Sequence, residues 1–164
     1  MKQRRAVWGQ AMLYTVLLLP VLTLTFTAVL GIATLQLHEQ RLRWALDMAA
    51  LDAVTAVDPR AYSETGRIQL DPDVAANTFR EYLVRNLRPL GSDIGGGYNA
   101  VRTAAGSEVS VVNAVPARDP FGSVMLDRPA VCARIHVSYH DGFLAWFHPE
   151  AVTLELSTVA EVRS

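Results

Sequence analysis

The sequence predicts an α+β protein in which one long N-terminal helix runs from a membrane into a small domain. Three observations support this class. No charged residue occurs from Ala6 to Leu37, no Gly or Pro occurs from Leu35 to Val57, and apolar residues alternate with polar ones after Glu108. We therefore expect a transmembrane helix that continues into a stem helix, a second short helix and a small antiparallel sheet packed on the stem.

The apolar segment is long enough to cross a bilayer. As a helix, residues 11–35 would extend about 37 Å, compared with the ~30 Å thickness of the hydrocarbon core. Pro20 lies inside it and cannot donate a hydrogen bond to the carbonyl of Val16, so we expect a kink there. The alternative is a cleaved signal peptide, for which the small residues Gly31 and Ala33 would provide a cleavage site. The predicted divisions are 1–10 for the leader, 11–36 for the transmembrane helix, 37–57 for the stem and 58–164 for the outer domain.

The distribution of basic residues predicts the orientation of this helix. Lys2, Arg4 and Arg5 precede the apolar segment, whereas Arg41 and Arg43 follow it. The positive-inside rule then places the N-terminus in the cytoplasm and the C-terminal domain outside. We expect a single-pass membrane protein with this orientation.

The stem helix has more apolar surface than one face requires. The residues of its main apolar face recur at helical spacing, and Asp58-Pro59 marks the end of the predicted helix. A second set of apolar residues, including Trp44 and Leu51, flanks a narrow polar strip. Two interpretations remain open: a deeply buried core helix, or packing on helices of other subunits, to which the alanines would allow close approach. The residues assigned to this helix interface are Leu42, Ala45, Leu46, Ala49 and Ala53.

The outer domain begins with helical and loop signals. Residues 58–70 have the composition of a loop, and Asp71-Pro72 predicts the start of a helix that continues to about Arg88. Residues 92–106 are rich in glycine and predict a mobile loop. The residues expected to face inward from the helix are Val74, Phe79, Leu83 and Leu87.

Three strands are predicted from alternation of apolar and polar residues. The first contains Val109, Val111 and Val115, the second extends from Val131 to Tyr139, and the third begins at Val152. Residues 116–129 are expected to form a loop between the first two. Alternation of this kind is typical of antiparallel strands with one face exposed.

No arrangement of residues indicates catalysis, a metal or a cofactor. The single cysteine, Cys132, falls on the polar face of its strand and predicts a partly covered thiol. His136 and His140 would lie over 13 Å apart along a strand, which is too far for shared zinc coordination. With 15 basic and 16 acidic residues, the net charge of −1 gives no reason to expect nucleic acid as a partner. We expect one aromatic cluster either to cap the end of the sheet or to contact a membrane or a partner. It consists of Phe143, Trp146 and Phe147.

Three stretches together resemble the TadE/TadG-like proteins of the tight-adherence (Flp-type) pilus system. They are the leader and membrane segment from Arg4 to Pro20, the alanine-rich stem from Arg41 to Ala53, and the strand pair His136–Tyr139 and Val152–Glu155. The length is similar to that of the small TadE-like members. The resemblance implies a pilin-like or pseudopilin-like fold, with the outer domain facing the periplasm or the cell exterior.

The resemblance also implies a processing site and partners. In processed members a prepilin peptidase cuts after a glycine, here Gly9 followed by Gln10. The fifth mature position would be Tyr14 instead of the usual Glu, so an uncut, permanently anchored form stays open. Other pilus or pseudopilin subunits and an assembly platform are the implied partners, in homo- or hetero-oligomers.

We therefore expect a structural, non-enzymatic, membrane-anchored component of a bacterial tight-adherence pilus or related secretion assembly. It would act through helix–helix packing in the membrane and domain contacts outside. The alternative is a secreted or anchored extracytoplasmic binding domain, whose N-terminal segment is only a signal or anchor. Such a domain would bind its ligand through residues 92–106.

Overall fold

The structure, a computed structural model, describes residues 2–92, 94–139 and 152–163. It divides into two compact units, residues 1–37 and 38–164. One helix, α1, extends over Lys2–Ala53, and its portion from Tyr14 is long and apolar enough to cross a membrane. The fold class is α+β, with a long apolar N-terminal helix and a small antiparallel sheet, as the sequence predicts.

The first unit contains the part of α1 up to Leu37, in which the large apolar side chains that the structure describes are exposed. From Val16 to Ile32 these side chains are mostly around 60% exposed. The hydroxyl of Thr23 donates a 2.8 Å hydrogen bond to the carbonyl of Leu19, one turn earlier, and that of Thr25 donates one of the same length to the carbonyl of Val21. These hydroxyls are therefore satisfied within the helix itself, which suits a segment without water around it.

The second unit contains three further α-helices and five strands among its described residues. It also contains a short 3₁₀ helix at Arg88–Leu90. The helices are α2 (Pro59–Thr65), α3 (Pro72–Leu87) and α4 (Gly97–Ala105), and the strands are β1 (Glu108–Val112), β2 (Ala117–Arg118), β3 (Met125–Leu126), β4 (Ala130–Tyr139) and β5 (Val152–Glu161).

The strands form a three-stranded antiparallel sheet and a separate small hairpin. The sheet order is β1-β4-β5, so β4 is the central strand, and Ala133 pairs with Val109 on one side and Thr158 on the other. Strands β2 and β3 pair only with each other. The alternation in β4 separates its residues between two faces of the sheet.

Each face of the sheet has its own apolar cluster. On the first face, Val131 and Ile135 of β4 pack with the buried faces of α1, α3 and α4, and Phe79 and Leu46 are fully buried there. On the second face, Cys132 packs with Leu126 of the β2–β3 hairpin. The hairpin thus covers part of the sheet that the helices leave uncovered.

Local signals explain the helix ends. The carboxylate of Asp71 accepts hydrogen bonds from the amides of Asp73 and Val74 and caps α3, with Pro72 at its first position. Asp58 caps α2 in the same way, and Gly66 ends that helix with a φ of 67°, which favours glycine.

Several element boundaries differ from the sequence predictions. The first helix ends at Ala53, not Val57, because Val57 instead forms a β-bridge with Leu70. The predicted loop 58–70 contains α2, since Asp58 and Pro59 act as a cap and first turn as well as a stop. Val74 is 50% exposed, so its predicted inward orientation is wrong, and Ala75 faces the core instead.

Two other predicted loops contain regular structure. In residues 92–106, Gly95 and Gly96 have positive φ and lead into helix α4, which buries Ala100 and Ala104. Residues 116–129 contain the β2–β3 hairpin. Val115 lies outside β1 and packs under this hairpin.

Candidate interaction surfaces

The five residues predicted to form a helix interface lie inside the domain's own core. Leu42, Ala45, Leu46, Ala49 and Ala53 are 0–1% exposed and pack with α3, α4 and the sheet. Their surfaces are thus not available to another subunit while the domain is folded. This corrects their assignment to an intersubunit interface and favours the core-helix interpretation for this face.

The opposite face of the same helical segment is exposed and partly apolar. Trp44 is 60% exposed, Leu51 is 46% exposed, and Met48 lies between them with intermediate exposure. These residues are spaced by four and three, so they share one face of α1. Arg43 on the adjacent flank pairs with Glu39 at 3.0 Å. We refer to Trp44, Met48 and Leu51 as the outer stripe.

An arginine organises the polar part of the second sheet face. The guanidinium of Arg134 lies 4.9 Å from the ring centroid of Phe121 and 3.1 Å from a carboxylate oxygen of Glu155. It also donates a 3.4 Å hydrogen bond to the carbonyl of Phe121. These contacts fix Arg134 between the hairpin and β5, and they leave its buried Nε without a partner.

An open cavity of about 370 Å³ lies between α4 and the adjoining part of β4. Its size is within the range typical of small-molecule sites. Arg102 contributes a positive charge, and none of the described residues that line the cavity is acidic. The amide of Asn99 donates to the carbonyls of Ile94 and Gly95, which holds the start of α4 in place. The lining residues are Ile94, Asn99, Arg102, Thr103, Gly106, His136 and Ser138.

Cys132 is fully buried under the hairpin, which corrects the prediction of a partly covered thiol. Burial, together with a hydrogen bond to the carboxylate of Asp119, raises the pKa of this thiol from 9.0 to about 12. Asp119 is itself buried and accepts a 3.0 Å hydrogen bond from the amide of Phe121. The thiol is therefore protonated and shielded, which is the behaviour of a structural cysteine.

Gly122 allows the hairpin to close over this pair. A β-carbon at position 122 would lie 2.5 Å from a carboxylate oxygen of Asp119, so only glycine fits without movement. The alternation of β4 alone could not predict that a hairpin closed by this turn covers Cys132. Asp119-Pro120 followed by Gly122 was the available signal, since such residues favour turns.

The remaining predicted site residues are placed as follows. Gly9, Gln10 and Pro20 lie within α1, which continues on both sides of the proline. Phe143, Trp146, Phe147 and His140 lie outside the described residues. Within the described ranges, no group of three or more His, Cys, Asp or Glu side chains is arranged to hold a metal ion.

Comparisons with protein-family models, with curated proteins and with solved structures gave no match to this chain.

Proposed function

We propose that this protein is a structural, non-catalytic, membrane-anchored component of a bacterial tight-adherence pilus or related secretion assembly, similar to the small TadE-like pseudopilins. Its membrane helix anchors it in the inner membrane, with the N-terminus in the cytoplasm and the outer domain on the other side. It associates with other pilus subunits and the assembly platform through α1 and through contacts of the domain.

The observation that carries this proposal is the unequal burial of α1. Its large apolar side chains that the structure describes from Met12 to Ile32 are 48–73% exposed, and a bilayer is the environment that favours such a surface. Beyond His38, one face is fully buried in the domain, while Trp44 and Leu51 remain exposed on the other. An exposed tryptophan with neighbouring apolar residues is typical of an interaction surface.

Substitutions in the outer stripe test the proposal, whereas substitutions in the buried face of α1 do not. A charge at Ala49 or Ala53 would disrupt the core, and its effect on assembly would be uninformative. Trp44→Arg places the charge on the exposed face instead. Val74→Arg on α3 is a matched control, because Val74 is 50% exposed and lies on another helix.

The test compares piliation and co-purification of partner subunits from host membranes for these two variants. We expect Trp44→Arg to abolish both while the domain keeps its thermal unfolding midpoint, and Val74→Arg to change neither. Normal piliation and co-purification in Trp44→Arg would refute a role for the outer stripe. The intact mass of the native protein then distinguishes a start at Gln10, which indicates prepilin-type processing, from Met1, which indicates permanent anchoring. A start at Thr34 would indicate a signal peptide and contradict the proposal.

The cavity beside α4 supports a second candidate, an anchored extracytoplasmic binding domain. Five of its lining residues come from the segment 92–106, and Arg102 gives the cavity a positive group that suits an anionic ligand. Titration of the full-length protein in nanodiscs with a panel of small organic anions tests this candidate. Two results together would favour the binding domain over the assembly role. An anion would bind to the protein but not to the Arg102→Gln variant, and the Trp44→Arg variant would form pili normally.

A further inference from the structure

Strand β5 has one edge that no described strand covers. It is ten residues long, and it pairs with β4 along its inner edge only. An edge strand presents unpaired amide and carbonyl groups, and monomeric proteins usually protect it with proline, a bulge or a covering loop. Strand β5 contains no proline, and its register with β4 runs without a bulge from Val152 to Glu161.

An open groove of about 660 Å³ lies against the C-terminal half of this strand. Leu51 of α1 contributes from the helix side of the sheet, and Val124 and Met125 contribute from the hairpin side. Because the lining comes from both faces of β5 and β4 occupies the inner edge, the groove passes around the outer edge. The strand residues along it are Val159, Ala160, Glu161, Val162 and Arg163.

The groove has exposed apolar residues on both faces of the sheet. Leu51, Val124 and Met125 are 46%, 55% and 61% exposed, respectively. A strand that paired with β5 would direct its side chains alternately to the two faces of the sheet. One set would then contact Leu51, and the other set would contact Val124 and Met125. The groove therefore fits an extended strand, which needs both a free main-chain edge and cover for alternate side chains.

We propose that the outer edge of β5 binds an extended segment of a partner polypeptide by strand addition. The side chains in both alternating sets of this segment are apolar or β-branched, so that each set can contact the apolar residues on its own face. Its charge is neutral or basic, because the exposed groups around this edge include three carboxylates and two guanidinium groups. Asp47 is at this strand because its carboxylate accepts a hydrogen bond from Thr158 of β5, and the other four groups line the groove: Asp127, Glu161, Arg128 and Arg163. That the partner is an assembly subunit rests on the proposed function; recognition of the strand does not.

A second copy of this chain fits the edge less well than a partner strand. Antiparallel pairing of β5 with β5 of another copy creates a two-fold axis perpendicular to the joined sheet. The α1 residues 42–53 that pack on each half would then run in opposite directions. The two copies would also bring the same excess of one carboxylate to the joined edge, so their charges would not be complementary.

The test uses full-length protein in nanodiscs and a synthetic nine-residue peptide in which valine alternates with threonine between two terminal lysines. The control peptide carries N-methyl groups on its seven internal amides, which removes the main-chain donors and keeps the side chains. Binding is measured by fluorescence anisotropy, and amide hydrogen exchange of the protein shows where the peptide lies.

We expect N-methylation to weaken binding at least tenfold and the unmodified peptide to slow amide exchange in β5. Leu51→Glu and Met125→Glu each remove one wall and should weaken binding at least fivefold. Val74→Glu, an exposed change outside the groove, should leave the affinity unchanged. Thermal unfolding midpoints establish that each variant is folded.

Three results would overturn the proposal: no binding by the unmodified peptide, equal binding by its N-methylated form, or slowed exchange outside β5. Disulfide-linked dimers of Val159→Cys without peptide would assign the edge to a second copy and overturn it as well. Failure of this proposal is distinguishable from failure of the assembly role, because Trp44 does not line the groove. If Trp44→Arg abolishes pili but the peptide still binds, the assembly role holds independently of the peptide site. If the peptide does not bind and Trp44→Arg still abolishes pili, only strand addition at β5 fails.

Discussion

Between Met12 and Ile32, α1 exposes the large apolar side chains that the structure describes, whereas from Leu42 onward it buries one face completely. Leu18 and Leu22 are about 65% exposed, but Leu42 and Leu46 are at most 1% exposed. All four residues are leucines, so residue type does not explain the difference between them. The surroundings differ: α3, α4 and the sheet cover the second half.

The difference shows where each half obtains its stabilisation. Burial of a leucine side chain contributes about 1.5–3 kcal/mol, and in the second half the chain itself supplies that burial. In the first half only lipid, or other helices within lipid, can provide the same apolar environment. Substitutions in the two halves should therefore affect different measurements.

The largest effect is expected from a charge in the buried half. Ala49→Arg forces a long cation into a fully packed position and should destabilise the domain by more than about 4 kcal/mol. Thermal unfolding or protease resistance of the purified protein measures this loss. Trp44→Arg, on the exposed face, should change the free energy of unfolding by less than about 0.5 kcal/mol. Equal stability of the two variants would mean that α1 does not pack on the sheet in solution.

The reactivity of Cys132 measures how closed the second apolar cluster is. Because its pKa is about 12 instead of 9.0, the thiolate fraction at pH 8 should be about a thousandfold lower in the folded protein than in the unfolded one. The raised pKa favours the folded state below pH 9, and this contribution is lost as the pH rises through 12. Labelling with iodoacetamide tests this prediction, with Ser123→Cys in a Cys132→Ala background as the exposed reference. Native labelling as fast as that of the unfolded protein would contradict it.

A charge in the exposed half of α1 should affect insertion and leave the domain intact. Leu22→Arg should cost about 3–4 kcal/mol of insertion free energy at the centre of the segment. We expect a smaller membrane-integrated fraction after alkaline extraction, with an unchanged unfolding midpoint for the domain. Leu22→Ile is the matched control. Full integration of the arginine variant would argue that this segment lies in a protein environment.

A smaller effect is expected where the hairpin closes over the sheet. Gly122→Ala brings a β-carbon to within 2.5 Å of Asp119, and relief of that overlap should cost about 1–3 kcal/mol. Faster labelling of Cys132 would report the displaced hairpin. Gly97→Ala is the control, since a β-carbon there meets no atom within 4 Å and should be neutral or stabilising. Equal effects of the two changes would contradict the close packing at Gly122.

The smallest predicted effect concerns the cap at the start of α3. Asp71→Ala removes the acceptor for two amides of α3, 3.0 and 3.1 Å away, and should cost about 1 kcal/mol. Asp71→Asn keeps an acceptor and should cost only a few tenths. Denaturant unfolding of both variants provides the comparison, and equal losses would indicate that charge, not capping, stabilises this end.

Sequence patterns were sufficient where one periodicity extended over many residues. The apolar helix, α3 from Pro72, and the alternating strands β4 and β5 all follow from spacing and capping signals. Phe79, Leu83 and Leu87 were correctly predicted to face inward. These elements bury one regular face each, so a local pattern contains the necessary information.

Patterns were insufficient where two elements compete for the same surface. The helical spacing of the stem identified two apolar faces, but only the sheet and α3 determine which of them is buried. Cys132 alternates with the core residues of β4 and is nevertheless buried, because a hairpin closed at Gly122 covers the second face. Helix α4 was missed because its neighbouring glycines predicted a loop, while its burial of Ala100 and Ala104 depends on α3 and β4.

The hydrogen bond between Asp47 and Thr158 has a consequence for the order in which the parts of the core become available during synthesis. These residues are 111 positions apart, and the hydroxyl of Thr158 donates to the carboxylate of Asp47 at 2.5 Å. Leu156 and Ala160 on the same strand complete the core around α1. Because synthesis proceeds from the N-terminus, α1 is made long before its final packing partner. The core around α1 is complete only once β5 has been made, and until then the earlier part of the domain lacks the cover that β5 supplies.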